Sequence, residues 1–312
     1  MKKRILSILL LCCMVLTLLP TAAFAADKIN EQFSLAPGGR YYFDLSAAGI
    51  PGTVNNALPG KTMHYVPFTY VGTVDAYSLK NEGDSNTQPY EHSLFVADYA
   101  VTHTANWSTL NDASLIFGKN YTAGGVNCTL RAPSVGGKSI GSGESQRGTP
   151  ESNEWDRLLD KNDGYIKNWS GIYSWGQDTS NIESGRRAVR GYNSPRNWYD
   201  NNATSSDPIL GFRPVLEVLS SGTLGSDGLK AVTLDLGGGK LGGSSENIRI
   251  IVKSGESFAA PASDGLTRSD GNADSYFQWL GNNGKLYAPG DSVPADVIKL
   301  TAQFDFKEQF TL

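Results

Sequence analysis

The chain has 312 residues, with 27 basic side chains against 31 acidic ones, three histidines, three cysteines and 35 glycines. A formal charge of −4 argues against nucleic acid as a partner, because phosphate backbones are held by an excess of clustered Lys and Arg. Three cysteines, two of them adjacent at Cys12 and Cys13, exclude a disulfide framework.

The first segment reads as an export signal. Lys2, Lys3 and Arg4 precede an apolar run from Ile5 to Leu19, and Ala23-Phe24-Ala25 forms a small-residue cleavage site. The run is shorter than the roughly 20 residues of a spanning helix. A mature chain starting at Ala26 would keep 24 basic and 31 acidic residues, a charge of about −7, and Cys128 alone of the cysteines. The expected location is secreted or at the cell surface, with no transmembrane segment after cleavage.

Beyond residue 25, helix-type periodicity is scarce. Runs at Arg40–Leu45, His64–Val74 and Leu94–Val101 alternate or are β-branched and predict strands. A short helix is expected after Trp107, capped by Ser108 or Asn111 and reaching Phe117. Ser134 to Thr149 is rich in Gly and Ser and predicts a long surface loop. Glu151 to Leu159 predicts a second helix, with Ser152 ahead of an acidic first turn and Trp155, Leu158 and Leu159 on one face. Pro214–Leu219 is an apolar strand, followed by a Gly/Ser-rich linker at 220–229. Ala231–Leu236 and Asn247–Val252 predict strands of a second unit. The expected organisation is a signal peptide at 1–25, a first domain at 26–219, the linker at 220–229, a second domain at 230–305 and a tail at 306–312.

Catalytic chemistry finds little support in the residue pattern. His64, His92 and His103 have no metal-site spacing, and no Asp-x-Asp calcium loop is present. Gly237-Gly238-Gly239-Lys240 has no helix after it and so is no phosphate cradle. A Gly-x-Ser-x-Gly nucleophile turn is missing. Cys128, within Val126-Asn-Cys-Thr-Leu130, reads as a small buried strand residue. No catalytic residue, metal ligand or cofactor is assigned.

One stretch suits contact. Tyr192, Asn193, Arg196, Asn197, Trp198, Tyr199, Asn201 and Asn202 mix aromatic and amide side chains, the combination that gives binding loops large contact area and adaptable hydrogen bonding. Trp175 and Asp207 complete the candidate ligand-binding set. An irregular surface loop, rich in turn-forming Asn, Asp and Ser, is the other account of the same residues.

Residues 90–218 resemble the formylglycine-generating-enzyme type of C-type-lectin-like domain. The resemblance rests on ordered short motifs: His92 to Thr102; Asn106-Trp107 with Asn111-Asp112-Ala113; Pro150-Glu-Ser-Asn-Glu154-Trp155-Asp156; Tyr173-Ser-Trp175-Gly176; Arg190-Gly191; and Gly211-Phe212-Arg213. The oxidase members of that family depend on cysteines in the C-terminal half of the domain, and no cysteine follows Cys128 here. The resemblance therefore implies a binding scaffold rather than the oxidase. The stretch before Gly-Phe-Arg is where variable proteins of diversity-generating retroelements carry residues mutagenised at Asn codons, and 192–202 with Ser205, Ser206 and Asp207 fits that palette.

The second unit resembles the Listeria–Bacteroides repeat of internalin-type surface proteins, a small β-grasp module. Val232-Thr-Leu-Asp-Leu-Gly-Gly238, Ile251 to Phe258 with Pro261, Tyr276-Phe-Gln-Trp279, Lys285-Leu-Tyr287 and Lys299 to Phe304 carry that likeness. The resemblance implies a spacer or weak interaction unit. The expected fold class is thus mainly β with short helices (α+β), a C-type-lectin-like domain plus a small β-grasp domain. The expected function is non-enzymatic binding of an extracellular ligand: glycan, peptide or protein. A secreted enzyme on the same fold, acting on peptide or cell wall, and a purely structural surface protein are the alternatives.

Overall fold

Aromatic and β-branched runs bounded by glycine turns dominate the chain, and they fold as strands. The computed structural model describes residues 33, 35–77, 90–141, 148–149, 153–219, 228–273 and 276–304. The expected signal (1–25), the tail (306–312) and residues 220–227 of the expected linker lie outside the described residues. So does Ser152.

The first strands are β1 (Arg40–Phe43), β2 (Thr53–Val54), β3 (Val66–Tyr77), β4 (Tyr90–Ala97) and β5 (Thr102–His103), followed by α1 (Trp107–Asp112). Next come β6 (Lys119–Ala123), β7 (Val126–Arg131), β8 (Lys138–Ser139), β9 (Gly148–Thr149) and α2 (Glu154–Lys161). β10 (Tyr173–Thr179), β11 (Arg186–Gly191), β12 (Trp198–Asn202), β13 (Leu210–Phe212) and β14 (Val215–Leu219) complete this part. The C-terminal part holds β15 (Leu229–Asp235), β16 (Lys240–Leu241), β17 (Ile248–Lys253), β18 (Phe258–Ala259) and β19 (Leu266–Thr267). It closes with β20 (Gln278–Gly281), β21 (Leu286–Tyr287), β22 (Ser292–Val293) and β23 (Lys299–Gln303). The protein is mainly β, as expected.

Among the described residues an eleven-stranded sheet runs β21-β20-β23-β15-β17-β1-β3-β4-β14-β7-β6, and a six-stranded sheet runs β12-β11-β10-β13-β5-β2. The large sheet passes from the C-terminal strands into the N-terminal ones where β1 meets β17 in parallel, Tyr42 opposite Ile250. The described residues fall within one compact unit with several cores. Leu229 and Ile251 pack in the core of Phe43, Phe68, Phe95 and Trp175, while Tyr42 and Tyr65 pack in that of Val232, Trp279 and Leu300. A third core joins α2 to Val135, Ala188 and Trp198.

Several expected boundaries shift for local reasons. The strand expected to reach Val101 stops at Ala97, where Asp98 turns inward to accept the Thr69 hydroxyl at 2.6 Å and to form an ion pair with Arg40 at 2.9 Å. Asn106, rather than Ser108 or Asn111, caps α1 by accepting the Thr109 amide at 2.8 Å. The helix ends at Asp112, short of the expected Phe117. Asn153 caps α2, accepting the Asp156 amide at 2.9 Å.

The expected surface loop at 134–149 is only partly one. Val135 is fully buried, and the amides of Val135 and Gly136 donate to Asp178 Oδ2 at 2.5 and 3.0 Å. A buried backbone needs such partners, so the segment is pinned against β10.

Candidate functional site

The candidate site sits on the six-stranded sheet, whose two faces have different fates. Successive residues of a strand point to opposite faces. On β12 this alternation sends Trp198 and Asp200 inward and Tyr199 outward.

The inner face rests on buried ion pairs. Arg190 grips Asp156 with two nitrogens at 2.8 and 3.1 Å, and both side chains are fully buried. Arg131 holds Glu154 through two bonds of 2.8 Å and reaches Glu217 at 2.8 Å. Arg213 donates to the Ala97 and Asn168 carbonyls at 2.7 and 3.1 Å. Burial alone would raise the Glu154 and Asp156 carboxyls. The guanidiniums of Arg131 and Arg190 override it and hold both below the usual range. Breaking such a pair by deleting one partner costs about 3–5 kcal/mol.

These same groups grip the 192–197 turn from beneath. Trp155 Nε1 donates to the Pro195 carbonyl at 2.6 Å, and Arg190 donates to that of Arg196 at 3.2 Å. Tyr192 holds a left-handed φ of 76°, a conformation that costs a non-glycine residue about 1–3 kcal/mol. The turn is therefore held in place by α2 and β11.

Three tyrosines meet on the outer face. Tyr173 pairs across the ladder with Gly191, whose φ of 106° leads the chain into the turn that carries Tyr192. The Tyr173 ring stacks on Tyr192 at 5.0 Å and 11°, and on Tyr199 at 5.8 Å and 29°. Arg186 lies over the far side of this group, 5.9 Å from the Tyr199 ring. Tyr199 is 48% exposed. The Tyr173 hydroxyl pKa is raised by burial and by its two tyrosine neighbours, against a hydrogen bond with the Asn197 side chain. It stays a neutral donor and acceptor throughout the physiological range.

The expected contact residues divide accordingly. Tyr192, Asn197 and Tyr199 gather around Tyr173. Asn193 and Asn202 are exposed, and Asn201 is half-buried on the same face of β12 as Tyr199. Asp207 is exposed on the loop that returns to β13, beside Tyr173, whose amide donates to the Ile209 carbonyl at 2.7 Å.

Three residues do not join the group. Trp175 is fully buried and donates to the Ala105 carbonyl at 2.7 Å; Trp198, 4% exposed, donates to that of Gly136 at 2.8 Å. Trp198 is core because it falls on the inward face of β12. Trp175 shares the face of Tyr173 and Tyr199 through the ladder Trp175–Val189–Tyr199, and is core because Phe43, Phe68 and Phe95 cover that face there. Arg196 is drawn to Asp160 and Asp163 at 3.3 and 3.0 Å, beside α2. Tyr173, absent from the expected contact set, stands at the centre.

Groups that could perform chemistry are engaged elsewhere. Burial pushes the Cys128 thiol up to about 12, and it donates to the Tyr121 carbonyl at 3.3 Å. His92 is buried 3.9 Å from Glu154, His64 pairs with Asp44 at 2.9 Å, and His103 bonds its neighbour Thr104. Among the described residues no three His, Cys, Asp or Glu side chains come together as a metal site, and no helix is long and apolar enough to cross a membrane.

No family model matches the chain, and no curated protein matches it. Among solved structures it is similar to Treponema denticola variable protein 1. That likeness covers 48% of this chain and 95% of the other, at 11% identity and a TM-score of 0.24.

Proposed function

We propose that this protein is a secreted or cell-surface, non-enzymatic binder of an extracellular ligand, and that the face formed by Tyr173, Tyr192 and Tyr199 makes the contact. The observation that carries this reading is the three-ring stack itself, half-exposed and mounted on a turn held by buried ion pairs. Rigid aromatic surface gives contact area at little entropy cost. The surrounding amides, Asn193, Asn197, Asn201 and Asn202, supply hydrogen bonds.

The scaffold is read as a C-type-lectin-like domain of the formylglycine-generating-enzyme type, with a β-grasp module of the internalin-repeat type presenting it. Supporting this, the residues that carry the first resemblance are interior ones: Glu154, Trp155, Asp156, Trp175, Arg190, Phe212 and Arg213 are all fully buried. A motif made of core groups marks a fold more than a chemistry. In this reading residues 192–207 form a diversified surface, and the exposed positions, among them Asn193, Tyr199, Asn202, Ser206 and Asp207, are the ones free to vary.

Glycan and peptide arrays probed with the mature protein and with its Y173A/Y192A/Y199A variant test the proposal. Neutral glycans and peptides bound by the wild type are expected to be lost by the variant at unchanged fold. Diversification is tested separately by the gene. Asn codons AAC or AAT across 192–207, with a reverse-transcriptase gene and a template copy nearby, are expected.

A further inference from the structure

A cavity of 880 Å³ lies away from the tyrosine face. It is a cleft between the 56–61 segment with β1 on one side and the 240–249 segment on the other. Its volume is near the upper end of small-molecule sites, about 300–1,000 Å³.

Its charge runs against the rest of the chain. Arg40, Lys61, Lys240 and Arg249 line it, with Glu246 as the acidic residue of that lining, in a protein whose formal charge is −4. Arg40 and Arg249 are already placed: Arg40 pairs with Asp98 at 2.9 Å, and Arg249 donates to the Arg40 carbonyl at 3.3 Å. Lys61 and Lys240 have no acidic partner among the described residues. Low-dielectric walls concentrate the field of such unpaired cations inside a cleft.

The lining also offers ring faces and hydroxyl partners. Tyr42 forms part of the floor at 9% exposure, stacked beneath Arg40 at 5.3 Å, and Tyr99 is half-buried. Asn56, Asn247 and Ser244 are exposed on the rims. The walls touch at glycines. A Cβ on Gly242 would stand 2.6 Å from the Gly60 amide nitrogen and 2.8 Å from Pro59 Cα, and one on Gly60 would stand 2.9 Å from the Gly265 carbonyl. This joint fixes the width of the cleft, and a side chain there would widen it.

We infer that this cleft binds an anionic oligosaccharide, its acidic groups neutralised by Lys61 and Lys240 and a sugar ring lying against Tyr99. Two kinds of saccharide carry that chemistry: uronic-acid chains with carboxylates and sugar-phosphate chains with phosphodiesters. A long polyanion such as nucleic acid is disfavoured by the net charge of −4 on the chain.

Titration calorimetry of the mature full chain against a tetragalacturonate, a phosphodiester-linked mannose-phosphate tetramer and the neutral maltotetraose tests the inference. At least one acidic probe is expected to bind, about tenfold or more tighter than the neutral one, with an affinity that falls as salt rises. Binding of the first alone assigns carboxylate, of the second alone phosphodiester, and of both a charge-led recognition. K61E/K240E is expected to weaken binding about tenfold or more, and K61M/K240M, which keeps the side-chain stems, to do so without charge reversal. Gly242→Val is expected to weaken binding with every charge retained, and Y173A/Y192A/Y199A to leave it unchanged. Equal binding of neutral and acidic probes, wild-type affinity in the lysine variants, or no binding of either acidic probe up to about 10 mM would overturn it.

Discussion

Trp198 and Tyr199 are neighbours on one strand and face opposite worlds. The indole of Trp198 is 4% exposed and donates to Gly136 beneath the sheet, while the Tyr199 ring is 48% exposed and stacks on Tyr173 above it. Trp198→Ala is therefore expected to cost about 3–5 kcal/mol of stability, and Tyr199→Ala less than about 1 kcal/mol. Thermal unfolding of the two variants distinguishes them. Equal, small losses would mean that Trp198 is not core.

The Arg190–Asp156 pair is expected to be indispensable to the turn above it. Arg190→Ala leaves a buried carboxylate without its partner and should cost about 3–5 kcal/mol. Arg190→Lys should rescue little, because an ammonium cannot reproduce the two-pronged grip on Asp156 or reach the Arg196 carbonyl as well. Denaturant unfolding of both variants is the check; full rescue by lysine would show that charge alone matters.

Acid stability should carry two opposite contributions. Glu154 and Asp156 are held below their ordinary range, so the stability they contribute is complete above the unfolded carboxyl values of about 4 and is lost as pH falls through the folded ones. Asp178 is raised, chiefly by burial, so its charge costs stability at neutral pH and that cost is relieved on acidification. Asp178→Asn can still accept the Val135 and Gly136 amides through one oxygen. The variant is expected to match or exceed the wild type at pH 7 and to lose stability more steeply below about pH 5. A loss of more than about 2 kcal/mol at pH 7 would contradict this.

Tyr192 combines a strained backbone with a functional ring. Tyr192→Gly should leave stability unchanged or raise it by up to about 1 kcal/mol, because glycine takes φ 76° freely. Binding of an array ligand should nonetheless weaken, since the stack on Tyr173 is gone. Undiminished binding would remove Tyr192 from the contact surface.

Much of the strand pattern was legible in the sequence because β-branched and aromatic runs announce themselves between glycines. The site was less so. Treating 192–202 as an irregular stretch hid the two-residue period of Trp198, Tyr199 and Asp200, which alone separates core from surface. Tyr173 was missed for another reason: it lies far from Tyr192 along the chain, and only the ladder pairing of Tyr173 with Gly191 brings the rings together. Arg196 looked like a contact group until the acidic Asp160 and Asp163, supplied by α2 and the turn after it, were seen to claim it.

The central claim is that ligand meets the tyrosine face, and backbone hydrogen exchange of the protein with and without the tightest neutral array ligand tests it most directly. Protection is expected at Tyr173 and across 191–202, with Y173A/Y192A/Y199A abolishing it. Protection confined to another surface, such as 56–61 with 240–249, or retained in full by the triple variant, would contradict the account.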